Sequence, residues 1–238
     1  MKRALLLFGH ADEGTFNHGL AAGYTDGFQA AGGTVDRIDV ASLRFDPILH
    51  QGYRVPQPLE PDLLSAREAI EVAGHLVWVF PTYWASPPAV VRGFIDRLFL
   101  PGWAFKFEPG SALPKGLLAG RSTRVITTMD TPGWWYTGVT HRCLHRSFGT
   151  ATLSFCGLAP VRFSSIHGVR EMSADERARQ IEQVRRLGRR DALAHVRAGL
   201  STTRLPASVL GSGEEAGRAL PSTSPGGVGE GGLLGGPR

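Results

Sequence analysis

Residues 75–97 read His75-Leu76-Val77-Trp78-Val79-Phe80-Pro81-Thr82-Tyr83-Trp84-Ala85-Ser86-Pro87-Pro88-Ala89-Val90-Val91-Arg92-Gly93-Phe94-Ile95-Asp96-Arg97. The run 75–80 is apolar without alternation after its first residue, the pattern of a strand covered on both faces, as in a parallel sheet. It ends in a proline-bearing loop with two aromatics, and a helix starts at the second proline pair. Ligands of open α/β sheets bind in the crevice outside the carboxyl ends of the strands. An aromatic loop at that place is a floor for a flat ring, so the stretch predicts a planar cofactor.

The same alternation of elements extends in both directions. Arg3 to Gly9 is a Leu-rich strand, and Phe16, Leu20, Tyr24, Phe28 and Ala31 give the next helix one apolar face, closed by Gly32-Gly33. Val35–Val40 reads as strand two. Phe45–Pro61 has no period and reads as a long loop before a helix over Asp62–Val72. A loop from Pro101 to Gly120 precedes strand four at 123–128, and a second aromatic loop runs from Asp130 to Tyr136. A helix over Val139–Phe155, strand five over Ala159–Ile166 and a last helix from Ser173 follow. Ser173 and Glu176 have capping-box spacing, and Ile181, Val184, Leu187 and Val196 mark the buried side of that helix. The predicted fold class is α/β: a flavodoxin-like, doubly wound, five-stranded parallel sheet with strand order 2-1-3-4-5. The expected domain spans 1–200. The Gly-, Pro- and Ser-rich segment 201–238 cannot bury enough apolar area to offset its chain entropy and is expected to be a disordered tail.

Composition narrows the function classes. The chain has 238 residues, 42% of them hydrophobic and 20% charged, which suits one soluble domain. Cys143 and Cys156 have neither the spacing nor the company of a metal or disulfide set, so no metal is expected and a reducing, cytoplasmic setting is. No run approaches the ~20 apolar residues of a membrane span. The first strand follows Met1-Lys2-Arg3 at once, so neither membrane insertion nor a cleaved leader is expected. The arginines from Arg177 to Arg197 alternate with Asp175, Glu176, Glu182 and Asp191 and carry no interleaved aromatics. They read as a solvated helix face rather than a nucleic-acid surface.

Three strand-end loops carry the chemistry. Gly9-His10-Ala11-Asp12-Glu13-Gly14-Thr15-Phe16-Asn17 opens onto a helix N-terminus, where free N–H groups and the helix dipole favour an anion, with His10, Thr15 and Asn17 as further partners. The same residues also read as a plain helix cap and a loop histidine. Pro81, Thr82, Tyr83 and Trp84 supply a flat apolar contact and backbone donors, or serve as packing aromatics. Thr127-Thr128-Met129-Asp130-Thr131-Pro132-Gly133-Trp134-Trp135-Tyr136 adds hydroxyls and three aromatics at the same edge. Ordinary packing does not require aromatics at successive strand ends, so the convergence favours a nucleotide-bearing ring cofactor.

These residues carry a resemblance. Gly9-His10 with Thr15-Phe16-Asn17, Phe45-Asp46-Pro47, Phe80-Pro81 with Trp84, Pro88-Ala89 with Gly93-Phe94-Ile95-Asp96-Arg97, and Phe155-Cys156-Gly157 together resemble the flavodoxin-like NAD(P)H:quinone oxidoreductases, over about residues 3–190. The resemblance implies a flavoprotein holding FAD, or alternatively FMN. Such an enzyme takes hydride from NAD(P)H at flavin N5 and passes two electrons to a quinone-like acceptor in a ping-pong cycle. By position, His10, Thr15, Phe16 and Asn17 would hold the flavin phosphate or ribityl region. Pro81, Thr82, Tyr83, Trp84, Thr127 and Thr128 would meet the isoalloxazine. Met129 and Asp130 stand where the family loop carries glycines. Trp84, Phe105, Phe107 and Trp135 would face the substrate, with Tyr136 and His141 assisting hydride transfer, and the family's site implies a homodimer. Two alternatives are a flavodoxin-like electron carrier and a regulatory subunit of a potassium-efflux transporter.

Overall fold

The structure is a computed structural model that describes residues 3–12, 14–111 and 113–201, the last seven by their backbone alone. Of the expected tail 201–238, Ser201 ends the last helix and the rest lies outside the described residues, as does the side chain of Val196. In chain order the elements are β1 (Arg3–Phe8), α1 (Phe16–Ala30), β2 (Thr34–Asp39), α2 (Pro61–Val72), β3 (His75–Pro81), α3 (Ala89–Leu98), β4 (Phe105–Lys106), β5 (Lys115–Gly116), β6 (Ser122–Met129), α4 (Gly133–Gly138), a π-helix (His145–Ser154), β7 (Val161–His167) and α5 (Ala174–Ser201).

Five strands form one parallel sheet in the order β2-β1-β3-β6-β7, the predicted topology. The numerals differ because β4 and β5 pair antiparallel inside the segment 101–120 that the sequence pattern leaves as a loop. β3 is buried at all seven positions and sits at the centre, whereas β2 has no buried position and forms an edge. The two-residue period of β1 divides the core: Leu5 and Leu7 join a cluster with Trp78, Phe80, Phe94 and Phe148, and Ala4, Leu6 and Phe8 join one with Leu20, Tyr24 and Phe28.

On the second face α1 and α5 approach backbone to backbone. A Cβ on Gly27 would lie 1.8 Å from the Arg185 carbonyl oxygen, and one on Gly188 would lie 2.2 Å from that of Tyr24, so only glycine fits at either place. The capping box forms as expected: Ser173 N–H donates to Glu176 Oε2 at 2.8 Å and Glu176 N–H to Ser173 Oγ at 3.3 Å. Beneath the helix pair lies a buried polar network. Arg124 grips Asp191 through Nε and, at 2.8 Å, through Nη2, while the Tyr24 hydroxyl donates to Asp191 Oδ2 at 2.9 Å and lies 3.0 Å from His75 Nε2. Burial works against the charge on Asp191, yet the Arg124 hydrogen bonds and charge hold its carboxyl below the usual range.

On the other face Arg97, fully buried, reaches back to the long loop. Its Nη1 and Nη2 donate at 3.0 Å to the two oxygens of Glu60, Nη2 donates to the Pro58 carbonyl at 2.8 Å, and Nη1 also donates to the Asp46 carbonyl. The fork fixes a segment that has no regular hydrogen bonding of its own.

One expected element differs. Instead of a loop to Tyr136 and one helix over 139–155, α4 occupies 133–138, His141 and Arg142 follow with φ of 48° and 53°, and the π-helix begins at His145. Pro132 starts α4 early because its fixed φ suits a helix entry, and the two left-handed residues break the helical path. Among the described residues no helix is long and apolar enough to cross a membrane.

Candidate functional site

The loops after β1, β3 and β6 leave the carboxyl edge of the sheet side by side, and polar side chains tie them together. Asn17 Nδ2–H donates to Thr128 Oγ1 at 3.1 Å and that hydroxyl returns a bond to Asn17 Oδ1 at 3.2 Å. Thr82 N–H donates to the Thr128 carbonyl at 2.8 Å, and the Thr82 and Thr127 hydroxyls lie 2.6 Å apart. Asn17, Thr127 and Thr128 are buried, so these bonds form a wall rather than a set of open donors. Pro81 and Met129 are buried behind it.

The loop after β3 rises from this wall as a two-residue hairpin. Tyr83 and Ser86 exchange both backbone bonds at 2.9 Å, and the two residues between them, Trp84 and Ala85, have φ of 51° and 58°. That is the geometry of a type I′ turn, which ordinarily holds Asn-Gly, and here a tryptophan and an alanine occupy it. Residues held left-handed store about 1–3 kcal/mol each and cluster at functional sites. Trp84 is 100% exposed, and among the described residues its ring has no contact that would explain the strain.

At the other end of the wall, Gly14 (φ 69°) turns the chain into α1, whose N-cap Thr15 makes no capping bond to the helix. Thr15 Oγ1 instead lies 3.1 Å from His18 Nδ1, while the Thr15 carbonyl accepts from the His18 amide at 2.9 Å, so of the first-turn amides only those of Phe16 and Asn17 are without a partner among the described residues. His10 uses its own Nδ1 with the backbone of Asp12. Phe16 is half-buried, with the Arg177 guanidinium 5.3 Å from its ring centre. A cavity of about 510 Å³ opens beside this turn toward the end of β2, lined by His10, Gly14, His18, Arg37, Asp39 and Ser42 among others.

The third loop carries Asp130, Trp135 and Tyr136. Asp130 is turned away to the short turn that follows β7, where its Oδ1 accepts the Arg170 amide at 2.7 Å and its Oδ2 lies 3.5 Å from the Arg170 guanidinium. Trp135 is exposed on α4. Tyr136 is buried, and its hydroxyl lies 2.9 Å from His145 Nδ1. Burial first, and Cys143 second, push the phenol up to about 12, whereas burial, Arg142 and His167 lower the His145 imidazole. Both groups are therefore held neutral, joined by one hydrogen bond. His167 Nδ1–H donates to the Thr131 carbonyl at 3.0 Å and its ring lies 5.5 Å from that of Tyr136, so two histidines hold this loop from below.

His141, paired with Tyr136 in the sequence reading, is exposed on the left-handed turn, and His145 takes the tyrosine instead. No periodicity points nine residues ahead across two left-handed residues, so the sequence pattern does not show His145. Arg37 and Asp39 were within reach: they stand at i and i+2 on one face of a predicted strand. Phe105 is buried against Phe155, with ring centres 5.0 Å apart, and Phe107 is exposed on the β4–β5 hairpin. Among the described residues no ring contact joins either one to Trp84 or Trp135, and no group of three or more His, Cys, Asp or Glu has metal-holding geometry.

Comparison with known proteins returns one fold. A family model described as "Flavodoxin-like fold" matches residues 2–187. The "NAD(P)H dehydrogenase [quinone] 1" of Rattus norvegicus is 21% identical over 206 residues, which span 76% of this chain and 74% of the rat protein. The crystal structure of Smu.1420 from Streptococcus mutans UA159 superposes with a TM-score of 0.69 at 25% identity, over 79% of this chain and 99% of that one. An FMN-dependent NADH-azoreductase from Bacillus anthracis str. Ames Ancestor, in complex with FMN, gives 0.63 at 17% identity over 81% and 100%, a likeness of fold.

Proposed function

Since this chain belongs to the family of the flavodoxin-like fold, we propose that it is a flavin-dependent NAD(P)H oxidoreductase acting on quinone-like acceptors. The observation that carries the reading is the wall formed by Asn17, Thr82, Thr127 and Thr128, which fastens three strand-end loops into one crevice beneath an exposed, strained Trp84. The residues fit a flavin nucleotide at both ends. The helix N-terminus at Phe16 and Asn17, with Thr15 and His10, suits its phosphate, and the Trp84 hairpin offers a flat apolar contact at the ring end. Bound there, the flavin would take hydride from NAD(P)H at N5 and return two electrons to the acceptor in a ping-pong cycle.

The protein's part is placement. The wall fixes the spacing between the phosphate turn and the ring loop, and the paired Tyr83–Ser86 backbone bonds hold Trp84 out against its left-handed strain. Phe16, Asn17, Pro81, Thr82, Tyr83, Met129 and Asp130 shape the cofactor side, and Trp84, Phe105, Phe107 and Trp135 shape the acceptor side. Tyr136, oriented by His145, and His141 handle the proton. FAD is the proposed cofactor and FMN the alternative. The exposed rings of Tyr83, Trp84 and Trp134 suit burial against a second copy, so the active form is proposed to be a homodimer in the cytoplasm.

Reconstitution with FAD and FMN tests the reading. A yellow protein that NADPH bleaches anaerobically and a quinone reoxidises is expected. A protein that stays colourless with either flavin overturns the enzyme, and one that binds flavin without bleaching is a carrier.

A further inference from the structure

The segment that follows β6 is of one charge. Between Asp130 and Glu171 the chain carries four arginines and no carboxylate, and Asp130 itself is met by Arg170. Two of the four, Arg142 and Arg146, are exposed, and neither guanidinium has a partner among the described residues. Their backbone is fixed. The Arg142 amide donates to the Tyr136 carbonyl at 2.9 Å, and the Arg146 amide donates to the Arg142 carbonyl at 3.2 Å, one helical turn farther on. Arg142 is held left-handed at φ 53°, a conformation that glycine adopts far more easily. The next residue, Cys143, brings its thiol to 3.9 Å from the Ala85 carbonyl, so this basic turn stands against the Trp84 hairpin. The Arg142 charge also reaches the base of the crevice: after burial, it is the largest influence that lowers the His145 imidazole.

We propose that Arg142 and Arg146 make the crevice select a hydride donor that carries a 2′-phosphate, NADPH over NADH, a specificity that rests on the flavin reading above. The two donors share every group except that phosphate, so selection between them needs residues that meet the phosphate alone. It is a monoester with about −1.5 to −2 charges at neutral pH. Guanidinium forks match phosphate oxygens in bidentate geometry, and here two forks stand one turn apart. The bonds of the turn to Tyr136 and, through Cys143, to Ala85 keep both arginines beside the aromatic contact. With Asp130 taken by Arg170 and no other carboxylate in the segment, neither cation spends its charge on the protein. The rim therefore attracts the more highly charged donor.

The double variant Arg142→Gln with Arg146→Gln tests the assignment, since glutamine keeps the Cβ of the turn while removing both charges. In the flavin-loaded full chain, kcat/KM is expected to favour NADPH over NADH by about tenfold or more, with the difference in KM. The preference should vanish in the double Gln variant and largely survive in Arg142→Lys with Arg146→Lys, which keeps the charges. It should also shrink with added salt, and as pH falls through about 6, the second pKa of the phosphate. Calorimetry with NADP+ and NAD+ on the same proteins, repeated without flavin, reads the rim without turnover. A colourless protein overturns the flavin reading alone, and tighter binding of NADP+ that the double Gln variant loses upholds the rim even then. Equal values for the two donors in the native chain overturn the inference, as does a preference kept by a folded double Gln variant. Equal weakening of both donors overturns it too, because it puts the arginines on the pyrophosphate that the donors share. Thermal melts accompany each variant.

Discussion

At the amino end of the sheet, Arg124, Asp191, Tyr24 and His75 are buried and bonded to one another across β3, β6, α1 and α5. At the carboxyl end, Trp84 stands fully exposed on a left-handed turn, the Thr15 side chain is turned aside from its helix, and His10 and His18 have no partner for Nε2 among the described residues. Both ends are rich in polar groups, but one is closed and the other is not. Burial of a charge is tolerated only where pairing is complete, so the amino end acts as a clamp on the four elements it joins. The carboxyl end keeps groups free and backbone strained, and the clamp and the two apolar cores offset that cost.

The largest way to break this contrast is Asp191→Ala. It would leave the Arg124 guanidinium buried without a counter-charge, with only Ser164 Oγ to accept from it at 3.0 Å, a loss of about 3–5 kcal/mol in urea unfolding. The double change Arg124→Met with Asp191→Leu should recover much of it, since an apolar pair needs no charge to be satisfied. A single-variant loss under ~1 kcal/mol would mean that the pair does not clamp the helices.

Acid separates the two ends more gently. Asp191 has a folded pKa below its unfolded one, so its contribution is present above the unfolded carboxylate value and disappears as pH falls through the folded value. His145 is also depressed, by burial first, and the unfolded chain therefore takes up its proton before the folded one. Stability should begin to fall below about pH 6.5, the unfolded histidine range. Urea midpoints between neutral and acid pH are expected to decline in two stages, with His145→Gln blunting the upper stage and Asp191→Asn the lower. An unchanged upper stage in His145→Gln would assign it to another group.

Trp84→Gly gives the smallest change in stability and the sharpest in function. Glycine adopts a positive φ freely, so relief of the left-handed strain, less the added chain entropy of glycine, should leave a gain of about 0.5 kcal/mol. Flavin affinity is expected to fall at least tenfold in the same protein, measured by fluorescence titration. A variant that is less stable and binds flavin normally would place Trp84 on the packing side of the comparison.

Most of the fold is legible in the residues because it follows from periods. β3 reads as a buried central strand from His75 to Pro81, the apolar stripe of α1 repeats every three to four residues, and the Ser173–Glu176 box marks the start of α5. The break between α4 and the π-helix is not legible, because His141 and Arg142 have no local signature for a left-handed conformation. The β4–β5 hairpin is too short to show alternation.

The candidate site divides in the same way. Its loops and aromatics were visible as compositions at strand ends. Their bonding was not: Asn17 reads as a phosphate ligand yet closes on Thr128, Asp130 reads as a flavin neighbour yet caps the turn at Arg170, and Tyr136 goes to His145 rather than His141. The sequence by itself determined which elements form, their order in the sheet and which strand ends carry polar and aromatic residues, since hydrophobic period and turn chemistry act within a few residues. Only the tertiary structure decided which polar groups bond to each other and which stay open, because hydrogen bonds such as Asn17 to Thr128 join positions 111 apart and depend on packing that no local pattern encodes.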